Sequence, residues 1–276
     1  MKKSNALYYL KNVRCSYNGS REVLQIDELN LPKGKILFVV GLSGVGKSTM
    51  LETLACMHNC LVDSEDAQFE LNISGKELSL MSTWKRGEKA ISELRKQYFS
   101  FIFQQSTFLE DCTAMENMAL GAMIKGIHAE EVEAEILEWM ERLDLPTEES
   151  GKNIRRFSGG QRQRMAFIRA LVSPFELLFC DEPTGNLDAH TGQVLMQCLK
   201  DFIRKSGKTA IVVTHDLRSS LKHADQILVI RPKEFSENGL KQTMGWVSDR
   251  TYFEMSERRE ARDVNRLLES IKTLEK

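Results

Sequence analysis

No apolar run in this 276-residue sequence approaches the ~18 residues that a bilayer-crossing helix needs. The longest, ILFVVGL, IVV and ILVI, have the length of strands. ALYYLKNV follows Lys2 and Lys3 near the N-terminus, but it is too short and too interrupted for a secretory leader. A strong charge of either sign is missing too. The formal net charge is −1, which argues against a general electrostatic grip on nucleic acid while leaving room for local basic patches. No CxxC pair occurs among Cys15, Cys56, Cys60, Cys112, Cys180 and Cys198, as suits a reducing compartment. These absences lead to the expectation of a cytoplasmic protein that meets a membrane, if at all, through a partner.

The CMHNC run at 56–60 has two readings: a metal or redox site, or the packed end of a half-buried helix. His58 would lie off the face shared by Cys56 and Cys60 and no second ligand pair follows, so the packed end is favoured.

What is present is enough apolar residue, 42%, to bury one large core or two small ones. Residues 7–40 alternate apolar segments with the turns SYNGS and LPKG, which reads as two or three strands. KILFVV at 35–40 is a buried strand, and TMLETLACM after it has helical spacing. HNCLVDSEDAQFELNISGKEL is acidic and loop-like up to a strand-turn signal at ISGK. WKRGEKAISELRKQ at 84–97 reads as a basic, solvated helix. From 113 to 145 the pattern is helical, with Val132, Ile136, Leu137 and Met140 on one stripe and Pro146 as its stop. ELLFC, KTAIVV and QILVI are further strands. Apolar strands alternating with helices imply a parallel sheet covered on both faces, with ligands at the strands' C-terminal ends. The tail from 231 opens with RPKEFSENGL and closes with a charged helix, in which Val264, Leu267, Leu268, Ile271 and Leu274 recur at helical spacing. It is set apart as a 231–276 extension that docks on its own domain or binds a partner.

Chemistry gathers at strand ends. GLSGVGKST at 41–49 fits GxxxxGK[ST] between a strand and a helix. In that loop Gly41, Leu42, Ser43, Gly44, Val45 and Gly46 turn backbone N–H groups toward phosphate oxygens. Lys47 would reach the β- and γ-phosphates, Ser48 would ligate Mg²⁺, and Thr49 closes the nucleotide-binding run. Asp181 suits the Mg²⁺ side of such a site, and Glu182 could polarise an attacking water. His215 ends another strand on the same sheet edge, within reach of a γ-phosphate. A second glycine-rich segment, FSGGQ at 157–161, precedes the helix QRQRMAFIRAL and offers another anion-facing helix N-terminus. If it completes a partner's site, ATP joins two protomers and hydrolysis releases them.

FSGGQ resembles the signature motif LSGGQ of ATP-binding cassette (ABC) proteins. The order is the family's as well: P-loop, FQQ at 103–105 like the Q-loop, signature, DEPTGNLD at 181–188 like Walker B plus D-loop, and THD at 214–216 like the H-loop. The resemblance covers residues 5–230. It implies the P-loop ABC ATPase fold: a RecA-like, mainly parallel core, an N-terminal antiparallel β subdomain and a helical subdomain inserted at about 105–164. It also implies ATP and Mg²⁺ as cofactors, Tyr17 stacked on adenine, and Gln104 on Mg²⁺ while sensing the coupling region. Asp188 would lie at the contact between two ATPase subunits, and Ser158, Gly159, Gly160 and Gln161 on the γ-phosphate held by the opposite subunit. Glu182 and His215 would be catalytic base and γ-phosphate switch. TGNLD and the segment after the Q-loop look most like the lipoprotein-release, macrolide-export and cell-division group. That likeness implies a homodimer on the inner face of the membrane, coupled through residues 100–125 to a separately encoded permease, with no nucleic-acid partner. The competing readings are a soluble ABC ATPase acting on nucleic acid or ribosomes, and a P-loop kinase or GTPase. Neither a second cassette, a coiled-coil or zinc insertion, nor an NKxD motif is present to support them.

Overall fold

The computed structural model describes residues 6–255, except 18, 20, 106, 216–221 and 238–239. The central strand is β3 (Ile36–Val40). All its residues are buried, as only a strand covered on both faces can be. Ile36, Phe38 and Val40 enter one hydrophobic core, while Leu37 and Val39 enter another. Alternation along a single strand thus divides the interior in two.

Beside β3 lie β6 (Phe99–Ile102), β7 (Leu177–Asp181), β8 (Thr209–Val213), β9 (Gln226–Val229) and β12 (Tyr252–Glu254). The order across the sheet is β12-β9-β3-β8-β7-β6. Every pairing is parallel except that of β12 on β9. Phe38, Phe99 and Phe179 of these strands are almost wholly buried, each stabilising the core by roughly 1.5–3 kcal/mol through burial alone.

The second sheet is built from β1 (Ala6–Ser16), β2 (Glu22–Pro32), β4 (Gln68–Ile73), β5 (Lys76–Ser79), β10 (Arg231–Glu237) and β11 (Leu240–Val247). Its order is β10-β11-β2-β1-β4-β5. It is antiparallel except where β11 runs parallel to β2, with Gly245 beside Leu24. The stretch beginning RPKEF, set apart in the sequence reading, therefore supplies two strands of this sheet. Trp246 fastens them by donating its indole N–H to Asp27 Oδ2 at 2.8 Å. The boundary expected after residue 230 falls inside this framework. The terminal helix expected around Val264, Leu267, Leu268, Ile271 and Leu274 lies outside the described residues.

The helices are α1 (Lys47–Leu54), α2 (Leu80–Lys85), α3 (Glu88–Tyr98), α4 (Ala114–Ile124), α5 (Ala129–Arg142), α6 (Gly159–Val172) and α7 (Ala189–Ser206). α3 buries Ile91, Leu94 and Tyr98, leaves Lys89 and Lys96 outside, and holds Arg95 half-buried, donating to the Cys56 carbonyl at 2.8 Å. The continuous helical pattern of 113–145 is two helices, not one. Gly126, at φ +88°, ends the first, and the second starts where the Glu131 carboxylate accepts the His128 N–H at 3.0 Å. On α5, Val132, Ile136 and Met140 are buried as expected, but Leu137 is only partly so. Trp139 fills the stripe instead, edge-on to Phe167 at 6.2 Å. At CMHNC, α1 has already stopped at Leu54 and Cys56 takes φ +52°, so Cys56 and Cys60 are not one helical turn apart. Cys60 and Cys15 instead share the Thr53 hydroxyl at 3.3 and 3.4 Å.

Candidate functional site

The loop at 41–46 carries the chain from β3 to α1. Gly44 and Gly46 take φ +75° and +100°, the left-handed region that glycine reaches without a Cβ penalty. No side chain caps α1, so its first N–H groups stay free for an anion, with the helix dipole behind them. Lys47 Nζ donates to the carbonyl oxygens of Gly41 and Leu42 at 3.0 and 2.9 Å. Burial pushes its ammonium pKa down, and the carboxylates of Glu182 and Asp181 push it back up.

β7 ends at Asp181. Burial raises the pKa of its carboxyl, Glu182 and Glu52 raise it further, and Lys47 opposes them. Glu182 follows with φ +47°, a conformation few residues with side chains adopt. It is held there by its N–H bond to the Val213 carbonyl at 3.0 Å. Its carboxylate is engaged on both oxygens: His215 Nδ1 lies 2.9 Å from Oε1, and the Thr214 hydroxyl donates to Oε2 at 3.3 Å. Ser43, Lys47, Ser48, Gln104, Asp181 and Glu182 converge on one cleft of about 370 Å³. Of the residues expected there from the sequence, these meet together with Gly44, Gly46 and Thr49, and His215 approaches through its contact with Glu182. Tyr17 stands on the outer side of α1, half exposed, its hydroxyl donating to Glu52 Oε2 at 2.6 Å and lying 3.0 Å from Thr49 Oγ1.

The second glycine segment lies elsewhere. Ser158 caps α6: its hydroxyl accepts the Gln161 N–H at 3.2 Å, and the Gln161 side chain accepts the Ser158 N–H at 2.8 Å. Ser158 and Gly159 are exposed, and none of residues 158–161 lines the cleft. Asp188 is the N-cap of α7: the Thr191 hydroxyl donates to it at 2.6 Å and the N–H groups of Thr191 and His190 at 3.0 Å each, bonds that hold its carboxyl below the usual carboxylate range. Four residues that the motifs do not contain also line the cleft: Arg21, just before β2, Val23 on β2, Val213 on β8 and Thr243 on β11. Arg21 sits four positions beyond Tyr17, but no local pattern marks Thr243.

A separate apolar groove of about 320 Å³ runs between β6 and α4, lined by Phe101, Phe103, Leu120 and Ile124. Phe103 is 42% and Ile124 57% exposed, unusual for such side chains.

A parallel core sheet, a glycine loop feeding α1, and carboxylates at the next strand's end define a P-loop ATPase cassette. Residues 24–185 match the family described as ABC transporter. The chain is 33% identical over 210 residues to the lipoprotein-releasing system ATP-binding protein LolD of Bacteroides fragilis, covering 76% of this chain and 91% of that one. It is also 33% identical over 231 residues to the macrolide export ATP-binding/permease protein MacB 2 of Yersinia pestis, covering 83% of this chain and 32% of that protein, so it spans about a third of the latter's length. Among solved structures, the dimeric post-hydrolysis state of the Methanocaldococcus jannaschii cassette MJ0796, bound to ADP and Pi, superposes with a TM-score of 0.68 at 28% identity, covering 86% of this chain and 98% of that one. The chain belongs to the ABC transporter family, as one of its ATP-binding, ATP-hydrolysing cassettes.

Proposed function

We propose that this chain works as one half of an ATP-dependent dimer that drives a membrane permease, of the kind served by lipoprotein-release and macrolide-export cassettes. The observation that carries this reading is the separation of the two glycine segments. The P-loop lines the chain's own cleft; residues 158–161 form an exposed helix start outside it. Facing a second copy, Ser158, Gly159, Gly160 and Gln161 would close over the γ-phosphate held by the partner's P-loop, with Asp188 beside the same contact.

Within one half-site, the N–H groups of 43–48 and Lys47 hold the phosphates, and Tyr17 meets the adenine. Glu182 takes the proton from the attacking water. His215, already within hydrogen-bond distance of Glu182, is placed to exchange that contact for the γ-phosphate. Ser48, Gln104 and Asp181 line the cleft together and would hold Mg²⁺. The fit rests on Asp181, whose carboxyl is crowded by burial and by Glu182 and Glu52, a crowding that a divalent cation relieves. When bound, Mg²⁺ supplies charge neutralisation at the phosphate oxygens.

The groove at Phe103 and Ile124 suits a cytoplasmic helix of the permease, which would set the protein on the inner face of the membrane. Among the described residues no helix is long and apolar enough to cross a membrane itself. The test is Ser158→Arg in the purified protein: ATP binding at the P-loop survives, while hydrolysis and ATP-dependent dimerisation are lost. Hydrolysis at the wild-type rate in this variant would sink the shared-site reading.

A further inference from the structure

The loop at 41–46 is walled by two strands from opposite ends of the chain. A Cβ at Gly46 would stand 3.2 Å from the Val23 carbonyl oxygen, and one at Gly245 only 2.2 Å from the Val45 carbonyl oxygen. β2 and β11, paired in parallel through Leu24 and Gly245, therefore press against the loop at Val23 and Gly245. Two positions back from each contact stand Arg21, just ahead of β2, and Thr243 on β11. Both line the cleft with Ser43, Lys47, Asp181 and Glu182.

The charge around the cleft points to their use. Arg21 and Lys47 are the two cations among the lining residues, set against Asp181 and Glu182. Lys47 is half buried and bonded to the loop's own carbonyls. Arg21 is exposed, and no hydrogen bond or ion pair joins its guanidinium to another described residue. Tyr17, the expected adenine contact at the other end of the same connection, is not in the lining, so Arg21 stands toward the phosphate end.

Resting on the nucleotide reading above, we propose that Arg21 and Thr243 form a second bank of polyphosphate contacts opposite the P-loop. Arg21 supplies a charge-assisted bond to the phosphate chain and Thr243 a hydroxyl donor. The segment after residue 230 thereby holds a residue of the nucleotide site.

Titration calorimetry of wild type, Arg21→Ala, Arg21→Lys and Thr243→Val with MgATP, MgADP and AMP tests this. Arg21→Ala should weaken ATP and ADP about tenfold and leave AMP unchanged, with Arg21→Lys recovering most of the loss. Thr243→Val should weaken ATP and ADP about threefold. An Arg21→Ala protein of unchanged melting temperature that binds ATP within twofold of wild type overturns the proposal. So does an equal loss for AMP, which would put Arg21 on the nucleoside. A wild type without ATP affinity, matched by Lys47→Ala, would instead overturn the nucleotide reading itself.

Discussion

Both glycine segments open a helix, yet they are finished in opposite ways. At α1 the cap is Gly46, left-handed and with no side chain to bond, so the first N–H groups wait for a ligand. At α6 the cap is Ser158, and a reciprocal box with Gln161 already satisfies part of that helix end. The first site lies in a cleft with Lys47, Asp181 and Glu182 around it; the second faces solvent. An uncapped helix start that lines a cleft can bind an anion alone. A capped, exposed one holds its shape alone and adds donors only when another surface brings the anion to it.

That contrast can be pressed experimentally. The largest effect should follow Glu182→Gln, which keeps the geometry but removes the proposed base. ATP turnover should fall about a thousandfold while binding persists, and a dimer should accumulate with ATP in size-exclusion chromatography. A monomer under those conditions would count against the shared site. Next is Lys47→Ala, where loss of a half-buried ammonium facing phosphates should weaken ATP by about a hundredfold in calorimetry. Ser158→Ala should leave ATP affinity within twofold but lower the melting temperature through loss of the cap, about 1 kcal/mol. If Ser158→Ala weakened nucleotide binding as much as Lys47→Ala, the two segments would not be separate in function.

Gly245→Ala probes the wall behind the first site. A Cβ there collides with the Val45 carbonyl, so the loop must shift, at about 1–3 kcal/mol of stability, and ATP affinity should fall with it. The smallest effect concerns pH. The Asp181 pKa is raised in the folded protein, so the folded state holds this proton more tightly than the unfolded chain. The stability this group gives is present in acid and is lost as pH rises through the raised value; at neutral pH the carboxylate is a burden. Asp181→Asn should therefore raise the melting temperature of the nucleotide-free protein slightly near pH 7. A lowered melting temperature would show that the carboxylate is compensated locally.

Much of this architecture is readable from the chain. ILFVV, LLFC and TAIVV are continuous apolar runs because both faces of their sheet are covered, and the motifs sit where those strands end. Three features were not readable. The stripe of α5 passes through Trp139 rather than Leu137, because the aromatic groups of the neighbouring helices decide which side chain turns inward. The end of α1 comes at Leu54, ahead of CMHNC, because Cys56 leaves the helical region although its neighbours have helical spacing. β10 and β11 carry too little apolar alternation to declare themselves; β11 pairs along its length with β10 and, at its end, with β2, more than two hundred residues away in sequence. Local periodicity carries no trace of such a partner. For the same reason Arg21 and Thr243 could not be placed in the cleft before the fold was known.

The contact between Gly245 and the Val45 carbonyl has a consequence for how the protein comes into being. As the chain emerges from the ribosome, the phosphate loop at 41–46 is made well before the strand at 240–247 that braces it. The nucleotide site is therefore expected to mature late, after both sheets have closed. Until then the loop lacks one of the two strands that wall it.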